Sequence, residues 1–146
     1  MSAETSRTWS GLDVLRGILS GDLPSPPIGE TLGFALAEVA PGRAVFSGTP
    51  GVRHGNPLGT VHGGYVATLL DSCMSCAVHT TLPVGTGYTT IELKVNFVRA
   101  VTRETGPLEE RVIHAGSRIA TAEGRLVAAE ELLYAHGTTT CLVFPL

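Results

Sequence analysis

The residue types best suited to chemistry in this sequence lie in one short stretch around position 63. His62, Gly63 and Gly64 stand directly before a segment with helical apolar spacing, and Asp71 follows His62 by nine residues. Glycines at a helix N-terminus let a ligand approach the backbone closely. The free N–H groups there, at the positive end of the helix dipole, suit a carbonyl oxygen that becomes negative during a reaction. We therefore predict an oxyanion site at the Gly63 amide, with Gly64 beside the substrate. The alternative is that the two glycines only permit tight packing of the helix.

Asp71 is the candidate for the reacting carboxylate. The predicted helix, residues 63–80, is apolar around most of its circumference, and Asp71 is its only Asp, Glu, Lys or Arg residue. A carboxylate in such surroundings is costly unless it is paired or hydrated, and its ionisation can be tuned. The position suits a general base or a nucleophile. The alternative is a structural carboxylate that only bonds a neighbouring hydroxyl or backbone group.

Four polar residues could complete the site around Asp71. Ser75 lies one turn further along the same helical face, where it could bond Asp71 or the substrate, and Thr90 on the next predicted strand could position a water molecule. Both could alternatively satisfy only local backbone groups. Asn56 could contact the substrate, although Asn before proline is also a common turn residue. For His62 we expect a supporting role at the helix start rather than direct catalysis.

The elements that must position these residues predict an α+β fold. A short helix is expected at residues 9–19, ended by a proline-rich stretch at 23–28. A hairpin before the helix at 63–80 and four strands after it should form an antiparallel sheet that wraps this helix. The predicted strands are residues 32–39, 43–48, 88–98, 108–115, 118–127 and 132–143.

Composition and motifs exclude several classes of protein. The 146 residues carry a formal charge of −3 without a basic stripe, which argues against nucleic-acid binding. The sequence lacks Gly-x-Ser-x-Gly, Gly-x-Gly-x-x-Gly and Walker motifs, and its five histidines lack a ligand spacing. We therefore expect no α/β-type serine hydrolase, no nucleotide cofactor and no metal. The length predicts one domain over residues 1–146, with 1–30 leading into a core at 31–146.

The location is predicted from what the sequence does not contain. The first ten residues lack a basic region followed by an apolar core, and no apolar run approaches the roughly 20 residues of a membrane span. Three cysteines, an odd number, with Cys73 and Cys76 in one predicted helix, do not make a disulfide framework. We expect a cytoplasmic protein.

On these residues the sequence resembles the hotdog-fold acyl-coenzyme A (acyl-CoA) thioesterases related to the phenylacetate-pathway and 4-hydroxybenzoyl-CoA enzymes. The resemblance covers roughly residues 45–143 and rests first on Asn56, Gly59, His62-Gly63-Gly64, Leu69 and Asp71. It continues through Val95-Asn96-Phe97-Val98-Arg99, His114-Ala115-Gly116-Ser117 and Ala122-Glu123-Gly124-Arg125-Leu126. A motif set of this extent is far more specific than a single glycine motif.

The resemblance implies a strongly curved antiparallel sheet around a central helix, in a homodimer that often pairs into a tetramer. It implies that Asp71 acts as base or nucleophile, that the Gly63 amide polarises the thioester carbonyl, and that Asn56 orients the carbonyl or the water. Thr90 matches a hydroxyl position that holds the water. Because such sites cross the dimer interface, Asp71 and Asn56 are expected to come from different subunits.

The same resemblance implies the substrate contacts in less detail. Coenzyme A carries phosphates, which guanidinium groups bind through paired hydrogen bonds, so Arg99, Arg118 and Arg125 are candidates. The acyl pocket is expected from Trp9 or its helix, from Tyr65 and Leu69, and from the partner subunit. The acyl group would be aromatic or short to medium in length. No cofactor is expected, since coenzyme A is part of the substrate.

Two other functions fit the same sequence. A hydratase or dehydratase of acyl thioesters could share the fold, because fold alone does not decide chemistry. Its product would have an altered double bond instead of a free thiol. A non-catalytic acyl-CoA sensor could also share the fold, and it would bind ligand without turnover and would not need Asp71.

Overall fold

The described residues follow the predicted order of elements, with one additional helix. In the computed structural model these are residues 8–105 and 119–146, together with the backbone of 108–115. The helices are α1 (Gly11–Ser20), α2 (Pro27–Leu32) and α3 (Gly63–His79). The strands are β1 (Phe34–Ala40), β2 (Arg43–Gly48), β3 (Thr86–Phe97), β4 (Leu108–Ala115), β5 (Ile119–Ala128) and β6 (Leu132–Pro145).

The strands form one antiparallel sheet that wraps α3. Their order across the sheet is β1-β2-β4-β5-β6-β3, so that β1 and β3 are the edge strands. α3 contacts every strand, and a core cluster joins its apolar side chains to the inward-facing residues of the sheet. A β-bulge between Thr90 and Glu92 adds local twist to β3. The predicted hotdog arrangement, a sheet curved around a central helix, is confirmed.

Burial explains why α3 is so apolar. Leu69, Leu70 and Met74 have no exposed surface, and shortening such a side chain to alanine typically costs about 2–5 kcal/mol. At the end of the helix the Thr80 hydroxyl donates to the Ala77 carbonyl at 2.6 Å. The prediction of a helix over 63–80 is confirmed to within one residue. None of the helices in the described part of the chain combines the length and the hydropathy that a membrane span requires.

α1 is capped at its start and packed against the end of α3. Ser10 and Asp13 form a reciprocal capping box, which satisfies amide groups at the start of α1. The Gly11 amide donates to the Leu82 carbonyl at 3.1 Å. A side chain at Gly11 would collide with the His79 carbonyl, so only glycine allows this approach of α1 to α3. The predicted N-terminal helix is confirmed, starting two residues later than expected.

α2 forms at the end of the proline-rich stretch, where no helix was predicted. Pro27 stands at its first position, where the missing N–H of proline costs no hydrogen bond. Gly33 ends the helix in the left-handed conformation, with φ 70°, and its amide donates to the Gly29 carbonyl. The predicted strand at 32–39 therefore starts only at Phe34. The proline-rich stretch that was expected only to end α1 also initiates the next helix.

Candidate active site

A direct hydrogen bond joins Asp71 to Thr90. Asp71 lies half-buried in the middle of α3, and Thr90 lies on β3 opposite the buried Cys141, which turns its side chain toward the helix. The Thr90 hydroxyl donates to Oδ1 of Asp71 at 2.9 Å. A donor that holds one oxygen restricts the orientation of the carboxylate. Thr90, predicted to position a water molecule, thus bonds Asp71 itself within this chain.

Tyr88 extends this polar group along the same face of β3. Its phenol shares a hydrogen bond with the Ser75 side chain, and its ring centre lies 5.1 Å from that of His79. Burial, and next the neighbouring Cys76 thiol, raise the pKa of the Tyr88 phenol, while the bond with Ser75 lowers it in part. Tyr88 therefore stays a neutral phenol at physiological pH.

Ser75 does not bond Asp71. Its hydroxyl is buried and donates to the Ser72 carbonyl at 3.3 Å, in addition to its contact with Tyr88. Ser75 and Asp71 nevertheless line one cavity of about 200 Å³ between α3, the N-terminal helices and the β1–β2 hairpin. The apolar part of the lining includes Leu15, Ile18, Ile28, Phe34, Leu36 and Phe46. The carboxylate therefore faces a mainly apolar space.

The N-terminus of α3 lies in a separate cavity of about 260 Å³, lined by Gly63, Phe97 and Arg99 among others. A Cβ at Gly63 would lie 3.1 Å from the Phe97 ring, so a side chain there would require the ring or the helix start to shift by a few tenths of an ångström. Arg99 is exposed, with its guanidinium carbon 5.9 Å from the centre of the Tyr134 ring, a cation–π distance. The predicted oxyanion amide and one predicted phosphate ligand thus share a cavity.

His62 is the N-cap of α3. Its Nδ1 accepts a hydrogen bond from the Gly64 amide at 2.9 Å, and the side chain is otherwise exposed. This hydrogen bond involves the Gly64 amide and not the Gly63 amide. His62 therefore holds the backbone at the start of α3, next to the Gly63 amide, and its supporting role in catalysis stays a prediction.

Asn56 closes its own turn. Its Nδ2 donates to the Thr60 hydroxyl at 2.8 Å, and its Oδ1 accepts from the Leu58 amide at 2.9 Å and the Thr60 amide at 3.2 Å. The turn is held further by the amide of His62, which donates to the His54 carbonyl at 2.7 Å. Within one chain the amide group of Asn56 is therefore used locally and does not meet Asp71.

Tyr65 belongs to the core, although it was expected to contact the substrate. It is 4% exposed, lines neither of the two cavities, and lies with its ring centre 4.6 Å from that of His54. Burial raises the pKa of Tyr65 and, together with Arg53, lowers that of His54. No described group bonds the Tyr65 hydroxyl. The apolar ring is buried because helical spacing places it on the inward face of α3.

The remaining predicted residues lie apart from one another. Gly63 and Asp71 are eight residues apart on α3, which separates them by about 12 Å along the axis. Arg125 is exposed on β5 between the buried Gly124 and Leu126, so it lies on the sheet face away from α3. Arg118 lies outside the described residues. One chain therefore holds Asp71 and the predicted oxyanion amide of Gly63 in two separate cavities.

Comparison with known proteins identifies the family. A family model described as the thioesterase superfamily matches residues 58–135, which is more than half of the chain. The chain belongs to the thioesterase superfamily. The segment matched to this superfamily contains both Gly63 and Asp71. A provisionally named esterase of Halobacterium salinarum is 33% identical over 88 residues, a match that spans 59% of this chain and only 58% of that relative.

Solved structures of thioesterase-like proteins share the fold. A phenylacetic acid degradation-related protein of Ralstonia eutropha, named as a thioesterase, is 27% identical with a TM-score of 0.77, covering 87% of this chain and 97% of its own. A single-substitution variant of the phenylacetic acid degradation protein PaaI from Thermus thermophilus is 30% identical with a TM-score of 0.69, covering 83% and 100%. These superfamily relatives support the resemblance seen in the sequence.

Three residues near the site were not predicted from the sequence. Tyr88 lies two residues before Thr90, and the two-residue period of a strand could have placed both on one face. Cys76 lies beside the predicted Ser75 and lines the Asp71 cavity. Phe97 covers Gly63 only because β3 passes the helix start, for which the sequence holds no local signal.

Proposed function

We propose that this chain hydrolyses acyl-CoA thioesters and that Asp71 is its catalytic carboxylate. The observation that carries the proposal is the position of Asp71 on the wall of an apolar cavity, with one oxygen held by Thr90. Membership of the thioesterase superfamily supports the reaction type.

Two chemical routes are open to Asp71. As a general base it would take a proton from water as the water oxygen adds to the thioester carbon, and the tetrahedral intermediate would then break its C–S bond and release the acid and the coenzyme A thiolate. As a nucleophile it would attack that carbon itself, so that the coenzyme A thiolate leaves, and water would then open the anhydride to release the acid. In both routes the thioester oxygen becomes negative, and the Gly63 amide at the start of α3 is suited to stabilise it.

We infer that a complete site needs two chains. A thioester carbonyl cannot contact both Gly63 and Asp71 of one chain, because about 12 Å of helix separates them. The free edge of β3 supports pairing with a second copy, since Ile91 is 62% and Phe97 is 58% exposed there. In a homodimer, Gly63 and Asn56 of one chain would meet Asp71 of the partner subunit. A dimer of dimers is compatible with this arrangement.

Three arginines are the proposed contacts for the phosphates of coenzyme A. Arg99 is favoured because it is exposed and shares a cavity with Gly63. Arg118 and Arg125 stay predictions from the sequence, as do the cytoplasmic location, the single domain and the expectation that no cofactor is needed. An aromatic or short-to-medium acyl group is expected, in line with the relatives named for phenylacetic acid degradation.

The test is thiol release from phenylacetyl-CoA, 4-hydroxybenzoyl-CoA and a series of saturated acyl-CoAs. Asp71→Asn should lower kcat by about 10²-fold or more, because a catalytic base or nucleophile is lost. Glu123→Gln is the matched control, since this exposed carboxylate lies on the far face of the sheet. Ligand binding without thiol release by the unaltered protein would favour the sensor. A changed double bond without thiol release would favour the hydratase.

A further inference from the structure

The cavity beside Asp71 borders a larger one. The cavity of about 200 Å³ that Asp71 lines shares Leu15, Ile18, Cys76 and Tyr88 with a neighbour of about 460 Å³. This neighbour lies beneath α1 and residues 23–27, a segment that we call the strap. Together the two cavities reach the size of a typical ligand pocket. We call the two cavities together the acyl chamber.

The acyl chamber runs along one face of α3. Asp71 lines one end, Ser75 and Cys76 follow one turn later, and His79 lines the far end. Eight residues separate Asp71 from His79, which corresponds to a distance of about 12 Å. The chamber therefore extends along about two turns of α3, and a thioester carbon at Asp71 would direct its acyl chain along it.

The chamber offers no partner for a charge. Among the residues that the structure describes around it, none is Lys or Arg, and Asp71 is the only Asp or Glu. Burial lowers the pKa of His79 and raises that of Tyr88, so both are neutral at physiological pH. A carboxylate on the acyl group would be buried without a counter-charge and close to Asp71, which is strongly unfavourable.

The outer wall of the chamber is fixed in place. The Leu23 amide donates to the Gly17 carbonyl at 2.9 Å, and Gly17 lets the Leu23 side chain pack directly on α1. Prolines at 24, 26 and 27 stiffen the strap that follows. A preformed wall selects by size, because it cannot move outward without breaking these contacts. Trp9, by contrast, packs against Gly17 and lines neither part of the chamber.

We propose that the acyl chamber holds an uncharged acyl chain of medium length and that Ile18 determines which length fits. Ile18 lines both cavities and is partly buried on the side of α1 that faces α3. α1 and the strap precede residues 58–135, the segment that the family model matches, so the proposed acyl selection lies outside that segment. This inference rests on the proposed function, because it places the thioester at Asp71.

The experiment changes Ile18 in two directions. Ile18→Ala enlarges the chamber and Ile18→Phe shortens it, while Leu19→Ala is the matched control because Leu19 is 45% exposed and lines neither cavity. The readout is kcat/KM for hexanoyl-, decanoyl- and tetradecanoyl-CoA. The preference for the longest over the shortest chain should rise roughly tenfold in Ile18→Ala and fall roughly tenfold in Ile18→Phe. A folding defect cannot move this ratio in opposite directions.

Two further measurements separate this inference from the proposed function. Kd values of non-hydrolysable S-alkyl-CoA thioethers should follow the same order in the Ile18 variants, whether or not turnover occurs. Adipoyl-CoA, with a terminal carboxylate, should be turned over at least about 100-fold less efficiently than hexanoyl-CoA. If Asp71→Asn abolishes hydrolysis while the Ile18 variants keep the original length preference, the proposed role of the chamber is wrong and the proposed thioesterase activity is supported. If no thioester is hydrolysed, the proposed thioesterase activity is wrong. The thioether Kd values alone then decide whether the chamber binds the acyl chain and whether Ile18 sets its length.

Discussion

The Thr90 hydroxyl donates a 2.9 Å hydrogen bond to Asp71 across the space between β3 and α3. The bond lies next to the β-bulge between Thr90 and Glu92, on a strand with a free edge. The orientation of the carboxylate therefore depends on the strand through which a second copy would pair. In the proposed dimer, pairing through β3 and positioning of the carboxylate would be coupled through this one bond.

Replacing Thr90 by valine should lower kcat by about 10- to 100-fold, because hydrogen bonds to charged groups contribute about 1.5–3 kcal/mol. Valine keeps the shape of threonine but removes the donor. Thr90→Ser, which keeps the hydroxyl, should retain most of the activity. Steady-state thiol release measures both, with thermal unfolding as a check on folding. Full activity in Thr90→Val would show that the bond is only structural.

Mixing two inactive variants tests whether the site is shared between chains. Asp71→Asn and Asn56→Ala should each be inactive alone. Half of the dimers in an equal mixture contain one chain of each variant. If Asp71 and Asn56 of different chains form one site, each mixed dimer has one intact site out of two. Roughly a quarter of the activity should therefore return. The two variants are unfolded together and refolded, and thiol release is then measured. No recovery, with mixed dimers verified by mass, would place both residues in the same subunit's site.

Gly63→Ala tests the close approach of Phe97 to the start of α3. The added Cβ would lie 3.1 Å from the ring, so the ring or the helix start must shift by a few tenths of an ångström. We expect roughly a tenfold loss of kcat/KM, because the Gly63 amide would be displaced from the thioester oxygen. Phe97→Leu in the same chain should recover part of the loss, with Phe97→Leu alone as control. Equal losses in Gly63→Ala with and without Phe97→Leu would exclude this contact as the cause.

The main elements of the fold could be predicted because their patterns are long. The apolar spacing of α3 over 17 residues reflects burial on most sides, and a pattern of that length has few other interpretations. α2 was missed because its prolines are typical of a connection, and only the surrounding structure decides that Pro27 starts a helix. Strand ends were displaced by a few residues, as at β3, which starts at Thr86 instead of residue 88.

The site could be predicted residue by residue but not as an arrangement. Asp71 stands out because it is a lone carboxylate on an apolar helix, yet its bond to Thr90 depends on the register of β3 against β6. Leu15 and Ile18 have the spacing of an ordinary apolar helix face. The cavity next to that face exists because the strap passes over the face without filling the space beside it, and the sequence gives no sign of this path. Contacts between distant segments have no local sequence signal.

His62→Ala should destabilise the protein by about 1 kcal/mol, because the start of α3 loses the acceptor for the Gly64 amide. His62→Asn offers an oxygen at a similar position and should restore most of the stability. Chemical denaturation measures the free energy of unfolding of each. If His62 acts only as a cap, activity should follow stability in both variants. An inactive but stable His62→Asn would instead assign the imidazole a direct part in the reaction.

His79 should make the free energy of unfolding depend on pH. Burial lowers its pKa from the ordinary value of 6.5, so in the folded protein the imidazole resists protonation. Below about pH 6.5 the unfolded chain therefore binds more protons at this position than the folded chain, and stability falls as the pH falls toward the folded pKa. Above that window the contribution is fully present.

Chemical denaturation between about pH 8 and pH 5 should therefore show a smaller loss of stability in His79→Gln than in the unaltered protein. His79→Gln also loses the ring contact with Tyr88, which lowers stability at every pH and leaves the slope as the readout. His136→Gln removes an exposed histidine on β6 and is the matched control. If the dependence of the unfolding free energy on pH changes equally in both variants, burial of His79 beside Tyr88 is not the source of that dependence.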